Sequence, residues 1–189
     1  MEALVCLYRM EFYVVCTNAE TGEPIYHNCP KGDAEDVQWM RASAAMPFLS
    51  KMVELDGYKL SDGGTADSIP IKYFQSIGYE RNVIILTQPL GFVKKKNSQL
   101  PFLRIVLRKY PNLIKALETR HVMYNDTLKY IEEQEKEGKV LVVRPSRALE
   151  VGPVEKNPDN LEKVYQIGRS DGEKAIKEIK NFLSVNKRK

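Results

Sequence analysis

Three short runs of this chain are almost continuously apolar and rich in β-branched or aromatic side chains. They are residues 11–18 (Glu-Phe-Tyr-Val-Val-Cys-Thr-Asn), 82–89 (Asn-Val-Ile-Ile-Leu-Thr-Gln-Pro) and 139–145 (Lys-Val-Leu-Val-Val-Arg-Pro). Runs of this length without polar alternation read as strands buried on both faces. Helical patterns lie between them. Asp33 is placed to cap a helix over 34–43, with Glu35 and Asp36 at its positive end. From 112 to 137, Leu113, Leu117, His121, Tyr124, Leu128 and Ile131 recur at steps of three and four and make one buried stripe. Gly138 ends that helix, and a last helix is expected over 159–184. Strand, helix, strand in this order predicts an α/β fold with a mostly parallel sheet flanked by helices, followed by a helical C-terminal region.

Between the first two runs the pattern changes. Residues 52–60 alternate and break at Asp56-Gly57, which predicts a hairpin. A polar, small-residue stretch follows, Ser61-Asp62-Gly63-Gly64-Thr65-Ala66-Asp67-Ser68-Ile69-Pro70, and then a short helix ended by Gly78. Asp62 therefore leaves a strand end beside two residues without side chains. A carboxylate held there can act as a base or an orienting group. The same Asp62, Gly63 and Gly64 also make an ordinary Asp-Gly turn, and both readings stand. Ser43 at a helix end and Ser68 before Ile69-Pro70 are read as bonding local backbone. Asp67 either holds the Asp62 loop or faces solvent. His121, on the apolar stripe, is read as a core histidine.

The segment Ala42-Ser43-Ala44-Ala45-Met46-Pro47, then Asp56-Gly57, then Asp62-Gly63-Gly64, then Asp67-Ser68-Ile69-Pro70 resembles the second half of a patatin-like phospholipase domain. That family carries A-S-x-A-x-P, then D-G-x-x-x-x-D-G-G/A, then a polar pair with Pro. The resemblance covers residues 11–89 and is closest to a bacterial branch with a helical C-terminal extension. It implies a patatin-like fold, with 1–99 the C-terminal part of the catalytic domain. Residues 100–189 would be a helical extension with one further strand on the same core. It implies a serine acyl hydrolase of lipid esters working by a Ser-Asp dyad, with Asp62 as the dyad aspartate and no cofactor. In the family the serine elbow and a glycine-rich oxyanion loop precede the strand matched by 11–18. Here ten residues precede it, with no glycine and no serine. The chain is thus expected to be truncated at the N-terminus and inactive alone, with no nucleophile of its own. The strand 11–18 is expected to leave an unpaired edge for a separate N-terminal half or a second copy. The alternative is a non-catalytic copy that binds lipid or a protein partner.

The one literal G-x-S-x-G, Gly168-Arg169-Ser170-Asp171-Gly172, lies in a helical stretch with no apolar strand before it. It lacks the strand-to-helix context that an elbow needs. Cys6, Cys16 and Cys29 have no C-x-x-C spacing, and His27 and His121 are far apart. No zinc signature and no disulfide framework are read from them; a reduced, cytoplasmic protein fits. Lys94, Lys95, Lys96, Arg104, Arg108 and Lys109 are interrupted by no acid. With the apolar side of 100–109 they suggest either an interfacial lipid anchor or a soluble helix with a wet basic face. Few aromatics interleave them, so nucleic acid is not an expected partner. No apolar run reaches the length of a membrane span.

Overall fold

The computed structural model describes residues 10–47, 49–152 and 154–184. They form two compact units. One takes in the described residues up to Pro70 together with Lys94–Thr127, the other Ile71–Val93 and the described residues from Leu128 onward.

The first unit is built on a four-stranded sheet in the order β2-β1-β4-β3, with β1 (Tyr13–Asn18), β2 (Pro24–Asn28), β3 (Val53–Leu55) and β4 (Tyr58–Asp62). Every pairing in it is antiparallel. This corrects the expectation of a mostly parallel sheet. The connections decide the matter: five residues join β1 to β2 and two join β3 to β4, whereas a parallel neighbour needs a crossover of about a dozen residues or more. Asp56 and Gly57 both have positive φ, 51° and 78°, the backbone of a two-residue hairpin turn whose twist suits its strands. β1 is also not an edge. Tyr13–Thr17 pair with β2 and Cys16–Asn18 with β4, so the expected unpaired edge on 11–18 is corrected as well. β2 and β3 are the outer strands.

Helix α1 (Ala34–Ser43) covers one face of this sheet. Asp33 caps it, its carboxylate accepting from the backbone N–H of Glu35 and Asp36. Trp39, Ala42 and Ala45 pack there with Val14, Cys16, Cys29, Val53 and Leu60. A second apolar cluster joins Ala19 to Leu100, Leu103, Leu107, Leu113 and Leu117. Its leucines come from α3 (Leu100–Val106), the Leu107 that closes it, and the first half of α4 (Pro111–Lys136).

The second unit has its own two-stranded sheet, β5 (Asn82–Ile85) parallel to β6 (Val140–Val143). Here the expected parallel pairing is found, but the expected burial on both faces is corrected: in β5 only Ile84 is buried and Ile85 is 76% exposed, because among the described residues this sheet has two strands and no neighbour to cover them on each side. Helix α2 (Ile71–Ser76) meets the last turns of α4 through Tyr130 Oη, which donates to Gln75 Oε1 at 2.5 Å. Arg144 of the segment after β6 pairs with Glu135. In helix α5 (Pro158–Ser184), the Phe182 carbonyl accepts from Arg81 at 2.7 Å. Gly168 to Gly172, the literal G-x-S-x-G match, lies within α5. No helix among the described residues is long and apolar enough to cross a membrane.

Candidate active site

Asp62 is the last residue of β4 and the cap of a single 3-10 turn, Gly63–Thr65. Its backbone is held on two sides. The Asp62 N–H donates to the Ala45 carbonyl at 2.8 Å, and Ser61 Oγ donates to the same carbonyl at 3.0 Å. Small residues are needed for this approach, and Ala42 and Ala45 are both buried against the sheet. On the other side the Thr17 hydroxyl donates to the Asp62 carbonyl at 2.7 Å and accepts from the Ala66 N–H at 3.2 Å. Thr17 is fully buried, so one hydroxyl bridges the strand end and the turn.

Gly63 fits where nothing larger does. A Cβ on it would lie 1.9 Å from the Val15 carbonyl oxygen of β1. Gly64 is less confined, its nearest neighbours being the side-chain ends Asp62 Oδ1 and Arg120 Nη2. The Gly64 N–H donates to Asp62 Oδ1 at 2.8 Å. The Gly64 carbonyl accepts from Ser68 Oγ at 2.6 Å and from Arg120 Nε at 2.5 Å. Asp67 does hold the loop, accepting from Tyr26 Oη at 2.6 Å and from the Ile69 N–H at 3.2 Å.

The electrostatics follow from this setting. Burial pushes the Asp62 carboxyl above its ordinary range; the Gly64 N–H and the Arg120 guanidinium oppose that without cancelling it. A raised carboxyl is a stronger base once ionised. Lys94 lies near Arg120 and over the Tyr124 ring, its Nζ 4.8 Å from the ring centroid. Desolvation first, and Arg120 second, push the Lys94 ammonium below its usual range. Its backbone is stapled to α4 by Asn125, which accepts from the Lys94 N–H at 2.8 Å and donates to its carbonyl at 3.0 Å.

Asp62 thus comes together with Gly63, Gly64, Ser68 and Arg120. Ser43 closes α1 and enters none of these hydrogen bonds. His121 has a buried Nδ1 with no hydrogen-bond partner, and nothing links it to Asp62 among the described residues. Cys16 stands directly opposite Asp62 in the β1–β4 register, yet it is no substitute nucleophile. It is fully buried, and burial pushes its thiol up to about 12. Arg120 is the residue that sequence reasoning missed. It lies three residues after Leu117 and four before Tyr124, on the buried stripe, where an arginine needs a partner.

Removing that arginine gives a measurable result. In Arg120→Met the Asp62 carboxyl should titrate higher still, followed by the carboxyl ¹³C shift against pH. The loss of a hydrogen bond to a charged group should cost about 1–3 kcal/mol. Because the folded value is raised, the stability Asp62 contributes is present at low pH and is lost as pH rises through that value. The variant should move that loss to higher pH. An unchanged or lowered Asp62 titration would remove Arg120 from the site.

Residues 6–74 match the patatin-like phospholipase family. That match joins the N-terminal part of the chain to a family of lipid hydrolases, over a stretch shorter at its C-terminal end than the motifs suggested. Residues 110–184 match a domain of unknown function, DUF6363, which spans the helix bearing Arg120. No curated protein matches the chain.

Proposed function

We propose that this chain carries the aspartate of a Ser-Asp acyl-hydrolase site for lipid esters. The observation that supports it most is the state of Asp62: a half-buried carboxylate, raised by burial, fixed at a strand end by backbone on both sides. Residues 1–99 then act as the catalytic part and 100–189 as a helical extension that lends Arg120 to the Asp62 loop.

In this reading the serine comes from residues outside this sequence. Asp62 accepts its proton as the serine oxygen attacks the ester carbonyl and passes that proton to the alcohol as its C–O bond breaks. Asp62 then takes a proton from the water that attacks the acyl-serine ester and returns it to the serine oxygen as the acid is freed. The ordinary range of a serine–carboxylate hydrogen bond, about 2.6–3.2 Å, sets how closely the serine must arrive. Gly63 lets the turn press against β1, which holds Asp62 at the strand end.

The lipid surface in this reading is met by α3. Leu100 and Leu103 are buried in the domain, while Phe102, Ile105 and Val106 are exposed, and Lys95 and Lys96, a few residues earlier in the chain, are exposed too. Apolar groups next to lysines suit the boundary between acyl chains and phosphates. The buried free thiols of Cys16 and Cys29 fit a reducing, cytoplasmic setting with peripheral membrane contact.

The test is complementation. Co-expression with the serine-bearing N-terminal half of a patatin-like phospholipase should yield a complex that hydrolyses a nitrophenyl acyl ester. The chain alone should not. A complex that assembles without turnover would favour the alternative, a non-catalytic copy, in which Asp62 is only the cap of its turn.

A further inference from the structure

Away from Asp62, three side chains of different chemistry converge. His27 near the end of β2, Cys29 just beyond it, and Asp36 in the first turn of α1 place an imidazole nitrogen, a thiol sulfur and a carboxylate oxygen within 4.8 Å of one another. Two of the three are almost fully buried: Cys29 is 1% exposed and Asp36 5%.

None of the three is well satisfied by the others. Asp36 Oδ2 accepts from the Lys31 N–H at 2.9 Å and the Gly32 N–H at 2.6 Å, which accounts for one carboxylate oxygen as a helix-end cap. The other, Oδ1, has the His27 Nε2 at 3.8 Å, beyond hydrogen-bond reach. The Cys29 thiol finds only the Asp36 carbonyl at 4.0 Å. The imidazole is held flat on Trp39, ring centroids 4.0 Å apart and planes 6° apart, so the plane of its nitrogens is set. A carboxylate oxygen that no protein donor reaches, beside a sulfur and an imidazole set in plane by stacking, is an environment a cation satisfies.

We infer that His27, Cys29 and Asp36 form a site for a borderline-soft divalent cation, best fitted by Zn²⁺. Sulfur and imidazole select against Mg²⁺ and Ca²⁺, which take oxygen ligands. Zinc bonds of about 2.3 Å to sulfur and about 2.0–2.1 Å to nitrogen and oxygen need donors roughly 3.3–3.8 Å apart. His27 Nε2 and Asp36 Oδ1, 3.8 Å apart, are already near this spacing, so the remaining movement, up to about 1 Å, falls mainly to the Cys29 side chain. The His27 side chain is 27% exposed, which leaves water as the fourth ligand. A cation here ties β2 to the start of α1, clipping the loop between them, independently of the Asp62 reading.

The probe is Co²⁺ added to the reduced full chain, followed by its absorption. One Co²⁺ per chain should give thiolate-to-metal charge transfer in the near ultraviolet and the intense visible bands of four-coordination, both displaced by Zn²⁺. Cys29→Ser should remove the charge-transfer band. His27→Phe keeps the ring against Trp39 but deletes the nitrogen, and should weaken Co²⁺ binding more than about tenfold. Cys6→Ser and Cys16→Ser should leave both bands intact. Zn²⁺ should raise the melting temperature of the parent chain and not that of Cys29→Ser. No band with the parent, a band that survives Cys29→Ser, or unchanged affinity in His27→Phe would each overturn the site.

Discussion

Gly63→Ala is expected to cost at least about 3 kcal/mol of stability, or to prevent the sheet unit from folding. The reason is backbone, not side chain. The added methyl would sit 1.9 Å from the Val15 carbonyl oxygen and 2.4 Å from its carbon, inside the covalent frame of β1. A flexible side chain could move aside; a central strand paired on both sides cannot without breaking its ladder with β2 or β4. The turn cannot move either, since Thr17 grips Asp62 and Ala66 together and Arg120 holds the Gly64 carbonyl. Gly64→Ala is the matched control. Its methyl would meet Asp62 Oδ1 at 3.0 Å and Arg120 Nη2 at 3.2 Å, two side-chain ends that can yield by a few tenths of an ångström. It should cost about 1 kcal/mol or less. Chemical denaturation of both variants decides the matter. A Gly63→Ala protein as stable as Gly64→Ala would mean that the turn does not press on β1 as described.

That contrast also explains how far the residues alone reach. Local chemistry was legible where it is local. Asp33 caps α1, Asp56-Gly57 turns the hairpin, and Asp62 ends β4 beside a glycine pair. Long-range pairing was not. The apolar run 11–18 looks like a parallel strand because it is buried, but its burial has another cause. Cys16, Thr17 and Asn18 are covered by β4 and the 3-10 turn, which return to β1 from about 45 residues away. No pattern within eight residues records that return. Arg120 escaped for the same reason. Its place on the helix stripe was readable, but its partner, the Gly64 carbonyl, lies 56 residues away. His27 and Asp36 are nine residues apart on different elements and meet only because α1 folds back on β2.

In the complemented enzyme, Asp62→Asn is expected to lower ester hydrolysis by about 10²–10⁴-fold with the complex still assembled. The substitution is chosen for what it keeps. Asparagine retains an oxygen where Asp62 Oδ1 accepts from the Gly64 N–H at 2.8 Å, so the turn and its grip on β1 persist. What it deletes is the capacity to take a proton. It also deletes an ionised carboxylate in a place that resists ionisation. Burial raises the Asp62 carboxyl, so ionising it at neutral pH works against the fold, and the stability it contributes belongs to low pH. The asparagine variant should therefore be no less stable than the parent at pH 7. Its stability should also vary less as pH rises from the acid range. Loss of activity without loss of stability is the signature of a residue kept for chemistry rather than for the turn. Loss of both, measured by thermal melts beside the ester assay, would return Asp62 to the role of a cap. Activity that survived in an intact complex would mean that the proton goes elsewhere.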